Sequence, residues 1–127
     1  MSDTVSLRLL DDFAAAFNRH DCDALMTMMT DDCIFDASAG DELYGTRFVG
    51  QSKVRSAFDA VFATFPDARW NDPVHFLLRN RGVTEWLFTG TSAADGKRTE
   101  VHGCDVFTFR AGKISIKDSY RKNRAPF

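Results

Sequence analysis

Three extended runs, Gly82 to Ser92, Arg98 to Arg110 and Lys113 to Lys122, follow one another with short turns at Asp95-Gly96 and Ala111-Gly112. Connections this short allow only antiparallel neighbours, because a parallel return needs a dozen residues or more. A fourth run, Ala68 to Asn80, enters through Arg81-Gly82, and its Pro73 cannot donate to a ladder, so a bulge or an edge is expected there. The C-terminal half must therefore be a sheet that the preceding residues cover. In the run from Arg98, alternation puts Val101, Gly103, Asp105, Phe107 and Phe109 on one face. Asp105 is the anomaly: an acid amid an apolar face must be paired, held protonated, or met by a ligand in a cavity.

The first half reads as helices. Leu9, Leu10, Phe13, Ala16 and Phe17 recur at three and four, predicting a helix over Thr4 to Asn18. Asp21 can cap a second helix from Cys22 to about Thr30, with Leu25, Met28 and Met29 turned inward. Cys33 to Asp36 is a short strand. Ala37 to Gly50, punctuated by Gly40, Gly45 and Gly50, is a loop with a brief extended piece, suited to the lip of a pocket. Val54, Phe58, Val61, Phe62 and Phe65 predict a third helix over Gln51 to Phe65, stopped by Pro66. Helical spacing marks Phe13, Phe17, Phe58 and Phe62 as core. Three helices and a bent antiparallel sheet form an α+β cone, whose open end would admit a small molecule.

Length and charge narrow the function. A chain of 127 residues, 44% hydrophobic, supports one core, so residues 1–127 form a single domain. The net charge of -2 is spread along the chain, which disfavours nucleic acid and anionic membrane surfaces. No apolar stretch approaches the roughly 20 residues that span a bilayer. Cys22, Cys33 and Cys104 are odd in number with no close pair, against a disulfide framework or zinc site and in favour of a cytoplasmic setting. The opening MSDTVSLRLLDDF carries acids where a signal peptide needs a basic start, so no secretory leader is expected. His20, His75 and His102 lack metal-ligand spacing, and no nucleophile elbow, dinucleotide fingerprint or phosphate loop occurs. No metal or cofactor is expected.

The opening DDFAAAFNRHDCDALMTMMTDDCIFD, together with GVTEWLFTGT, GCDVFTF and GKISIKDSY, resembles the nuclear transport factor 2-like superfamily. That superfamily includes ketosteroid isomerase and the SnoaL-like group, named for a polyketide cyclase. The resemblance implies the cone fold, dimerisation through the outer sheet face, and a pocket used for isomerisation, cyclisation, hydration, dehydration or simple binding. It also implies that Asp105 matches the protonated acid that steadies an enolate oxygen in the isomerase. The isomerase's tyrosine position is Phe13 here, and its base position is Ala37, one residue beyond Asp36.

The last strand carries the remaining choice. Ile114, Ile116, Asp118 and Tyr120 share a face by alternation, so core isoleucines would bring Asp118 and Tyr120 into the cavity of Asp105. A bulge would bring Lys117 and Ser119 there instead. On the first alternative, two carboxyls share an apolar pocket, with Asp105 as proton donor or oxyanion partner and Asp118 or Asp36 as base. Tyr120 would orient the ligand; Trp70, Trp86 and Phe107 would form walls; Phe13 and His75 would stand beside the substrate. Glu85 and His102 fall on the opposite face, and His20 in a solvated turn. The plainer alternative has Asp105 bonded to Trp70, Trp86, Tyr120 or an amide, or neutralised by an Arg or Lys. The expected partner is a small apolar, carbonyl-bearing molecule, and the competing reading is a non-catalytic binding or dimerisation module of the same fold.

Overall fold

The computed structural model describes residues 5–127. Helices α1 (Leu7–Asn18) and α2 (Cys22–Thr27) lead to strands β1 (Met29–Asp36) and β2 (Arg47–Val49), then helix α3 (Gln51–Thr64). Strands β3 (Arg69–Leu78), β4 (Arg81–Thr91), β5 (Arg98–Arg110) and β6 (Lys113–Arg121) complete the chain. The expected helix start at Thr4 lies outside the described residues. Among the described residues no helix is long and apolar enough to cross a membrane.

The strands form one curved, unclosed sheet in the order β2-β1-β6-β5-β4-β3. The expected meander of four antiparallel strands is present, but β1 joins it parallel to β6, so the sheet is mixed. That pairing draws β1 out to Met29 and ends α2 at Thr27, earlier than helical spacing implied. Asp21 caps α2 by accepting a hydrogen bond from the Ala24 amide at 3.1 Å. Ala111 and Gly112 both take positive φ, the geometry that lets a two-residue turn follow strand twist between β5 and β6.

Two interruptions in register set which side chains face inward. In β3 the ladder skips between Asn71 and Val74, where Asp72 takes a φ of 54° ahead of Pro73. In β6, Thr108 pairs with Ile116 but Phe109 with Ile114, leaving Ser115 as the extra residue of a bulge. Ile114 is fully buried, and alternation past the bulge turns Lys117, Ser119 and Arg121 inward while Ile116, Asp118 and Tyr120 turn out.

The helices cover the inner face. Leu10, Phe13 and Phe17 of α1 and Val54 and Phe58 of α3 pack on Phe107 and Phe109 of β5 and Phe35 of β1. The ring of Phe17 meets those of Phe58 and Trp70 edge-on at 4.8 and 4.7 Å. A smaller cluster of Ala68, Trp86, Phe88 and Val101 fills the other end of the sheet. Burying each large apolar side chain contributes about 1.5–3 kcal/mol, so the rings that line the space between the clusters also hold the fold.

Candidate functional site

Between the two clusters lies a cavity of about 680 Å³. Phe17, Phe35, Phe48 and Phe58 line it on one side, and Trp70, Trp86 and Phe88 on the other. From β6, Lys117, Ser119 and Arg121 form its polar strip. Cross-strand pairing explains the grouping: Phe107 stands opposite Lys117, Asp105 opposite Ser119 and Gly103 opposite Arg121. On the far side of β5, Trp86 pairs with Gly103 and Thr84 with Asp105.

Asp105 is buried and fully satisfied. Its Oδ2 accepts from the Trp86 indole at 3.0 Å, and its Oδ1 accepts from Lys117 Nζ at 2.9 Å and from Ser119 Oγ at 2.5 Å. The Trp86 bond depends on Gly103, because a Cβ there would stand 2.5 Å from the Trp86 ring and 2.4 Å from the Tyr120 carbonyl oxygen. Lys117, only 4% exposed, also donates to Ser119 Oγ at 2.9 Å. Its ammonium lies 4.8 Å from the ring centroids of both Phe17 and Phe35 and 5.7 Å from that of Phe58. Ring faces attract a cation, and a carboxylate offsets the loss of water around it. An ammonium has three donors, so one N–H of Lys117 is used by neither Asp105 nor Ser119.

This arrangement corrects the two-carboxyl expectation. Asp118 and Tyr120 point to the outer face, where the Tyr120 hydroxyl donates to Asp118 at 3.0 Å. Burial, with the negative charges of Asp36 and Asp105 nearby, pushes the Asp118 carboxyl above its usual range, against the hydrogen bond from Tyr120. Asp36 pairs with Asp118 across β1 and β6 and is held by Arg47 through two bonds of 2.8 and 2.9 Å. The Asp36 hydrogen bond raises the Arg47 guanidinium pKa, and the Tyr44 ring lies 3.9 Å beneath it. Neither acid lines the cavity. For Asp118 the physical reason is the bulge at Ser115, since one extra residue moves the whole strand beyond it to the other face, while Asp36 simply alternates with the inward Phe35 on β1.

Trp70 and Trp86 line the cavity, while Phe107 and Phe13 are core, stacked edge-on at 5.7 Å. Those two rings meet Asp105 only at a pinhole of about 20 Å³ behind the main cavity. His75 lies away from both. Its Nδ1 is 2.8 Å from Thr84 Oγ1, which ties β3 to β4, and its Nε2 is 2.9 Å from Asp11 of α1 but off the line of a hydrogen bond. Glu85 and His102 are exposed on the outer face, as alternation implies. His20 is not merely solvated: it stacks on Phe62 at 4.2 Å and reaches the Ala68 carbonyl.

The sequence offers Lys117 and Ser119 only as the second alternative, reads Arg121 with Lys122 and Arg124 as a small solvated tail, and marks no role for Arg47, whereas Arg121 lines the cavity. One signal for Lys117 was available: a buried acid at Asp105 calls for a cation, and the neighbouring strand offers one near its level. Among the described residues no group of three His, Cys, Asp or Glu side chains could hold a metal ion. The donors facing the cavity are cationic or hydroxylic, a set that fits a ligand oxygen or an anion.

The SnoaL-like domain model matches residues 10–116 of this sequence. No curated protein matches it. Among solved structures, a proposed polyketide cyclase from Xanthomonas campestris pv. campestris superposes with a TM-score of 0.81 at 21% identity, over 92% of this chain and 89% of that one. An NTF2-like protein from Burkholderia xenovorans LB400 gives 0.77 at 16% identity, over 91% and 88%. A hypothetical protein with a ketosteroid isomerase-like fold from Catenulispora acidiphila gives 0.74 at 15% identity, over 88% and 83%. At these identities the likeness is one of fold.

Proposed function

The chain belongs to the SnoaL-like domain family, and we propose that it works on an apolar, carbonyl-bearing small molecule by isomerase-, cyclase- or dehydratase-like chemistry. The observation that carries this reading is Lys117: a buried ammonium on the cavity wall, fixed by Asp105 and Ser119, with one donor unused. A carbonyl oxygen placed on that donor would have its developing negative charge stabilised as an enolate or alkoxide forms. Donors set in advance in a site poor in water typically contribute about 10²–10³ in rate. Ser119, which gives its proton to Asp105 in a hydrogen bond, can take a proton from the ligand carbon and pass its own to the carboxylate. Asp105 thus positions the cation and backs the hydroxyl; it is not itself the acid. No cofactor is needed for moving a proton.

A second reading, a binding module without turnover, is favoured by one observation: three donors already occupy the Asp105 oxygens, and no carboxylate lines the cavity. Two measurements separate them. β-Naphthol, whose ionised form emits at longer wavelength, should bind and ionise beside Lys117, and should stay neutral in Lys117→Met. β-Tetralone in deuterated water should exchange its α-protons faster with the wild-type protein than with that variant, followed by proton magnetic resonance. Ionisation without exchange leaves the binding module; neither effect sinks both readings.

The outer sheet face supports a homodimer as the working assembly. Val74, Phe76 and Leu78 of β3 are 49, 54 and 73% exposed, and Tyr120 of β6 is 56% exposed on the same side. Phe76→Asp should convert a dimer to a monomer in sedimentation, and a wild-type monomer would end this proposal. Three cysteines without disulfide partners keep the proposed setting cytoplasmic.

A further inference from the structure

Arg121 closes β6, two residues beyond Ser119 and four beyond Lys117, on the same inward alternation. Its guanidinium lies 5.2 Å from the Phe88 ring centroid at the cavity wall. No hydrogen bond or ion pair meets that guanidinium among the described residues. Arg47, Arg55 and Arg98, by contrast, are held by Asp36, by Asp23, and by Asp67 and Glu100. Although the residue is partly open to solvent, protein surroundings push the guanidinium below the usual arginine range, and an arginine stays charged through such a change. Lys53 of α3 lines the same cavity, which carries three cationic side chains and not one Asp or Glu.

We propose that the cavity takes an amphipathic anion: an apolar, ring-bearing molecule whose carboxylate is received by Arg121 at the mouth while its carbonyl oxygen reaches Lys117 deeper inside. The proposal rests on the reading of Lys117 above and adds the class of substrate. Depth follows from exposure, since Lys117 is buried and Arg121 is exposed. Strand rise of about 3.3 Å per residue sets the two α-carbons roughly 13 Å apart, and both long side chains reach inward from the same face, so one ligand carrying a keto group and a carboxylate can meet both. The rings of Phe88, Trp86 and Phe35 supply the apolar wall between them. A guanidinium binds a carboxylate through two parallel hydrogen bonds, which holds the chain in one orientation and presents the same carbonyl to Lys117 each time.

The test compares δ-benzoylvalerate, an aryl ketone with a terminal carboxylate, with its methyl ester and with phenyl pentyl ketone. Binding of each is read by calorimetry or by quenching of tryptophan fluorescence. Wild-type protein should bind the carboxylate about tenfold more tightly than the ester, and added salt should shrink that ratio. In Arg121→Gln the ratio should fall towards one while binding of phenyl pentyl ketone stays within about twofold; Arg121→Lys should keep part of it. Equal affinity for acid and ester in the wild type overturns the proposal, as does a preference that survives Arg121→Gln. The two readings fail separately: an Arg121-dependent preference without proton exchange keeps this inference and removes the catalytic one. Exchange that needs Lys117 but ignores the carboxylate does the reverse.

Discussion

Lys117 Nζ stands 2.9 Å from Asp105 Oδ1, with 5 and 8% of the two side chains exposed. An acid so placed is committed to holding a cation, and the cation becomes the group that faces the ligand. Lys117→Met should therefore strand a buried carboxylate and lower stability by about 3–5 kcal/mol. The double change Lys117→Met with Asp105→Asn should recover a large part of that loss. Urea unfolding of the single and double variants measures it, and simple addition of the two single losses would show that the pair is not coupled.

Gly103 leaves room for Trp86 to cross β5 and reach Asp105. Gly103→Ala should force the indole away, cost about 1–3 kcal/mol, and change the near-ultraviolet dichroism. An unchanged spectrum with full stability would place the ring elsewhere.

The outer-face Asp118 has its folded-state pKa raised, chiefly by burial. Such a group binds its proton more tightly in the folded protein, so stability falls as pH rises from the ordinary aspartate value of 3.8 through the folded-state value. Asp118→Asn should therefore be the more stable protein at neutral pH, and its advantage should vanish at pH values below 3.8, measured by thermal melts across the range. A neutral-pH advantage for the wild type would reverse the sign of this argument.

Cys22 is buried, and its thiol donates to Asp59 at 3.0 Å. Burial first, and the carboxylate second, push its pKa up to about 12. A thiol held so far from its thiolate is inert. In native protein at pH 8, a chromogenic disulfide reagent should leave Cys22 unmodified until denaturant is added, as peptide mapping would report; prompt labelling would contradict the burial.

The helical stripe Leu10, Phe13, Phe17 and the run Val54, Phe58 were legible because each follows a single local period. The meander of β3 to β6 was legible because its turns are too short for any other return. The inward direction of Asp105 followed from Phe107 and Phe109 on the same strand, both about fully buried. The parallel seating of β1 beside β6 was not legible, since it pairs Phe35 with Lys117 across eighty-one intervening positions and leaves no local mark.

What the sequence determined by itself is thus the set of elements, the faces of α1, α3 and β5, and the need of Asp105 for a partner. Which partner it found was decided by tertiary structure. Side chains alternate along a strand with a period of two, so one extra residue at Ser115 exchanges Asp118 and Tyr120 for Lys117 and Ser119. Both registers keep Ile114 in the core, and local propensity does not tell them apart. The choice falls to packing and charge together, because only the bulged strand brings an ammonium to a carboxylate that would otherwise be buried alone.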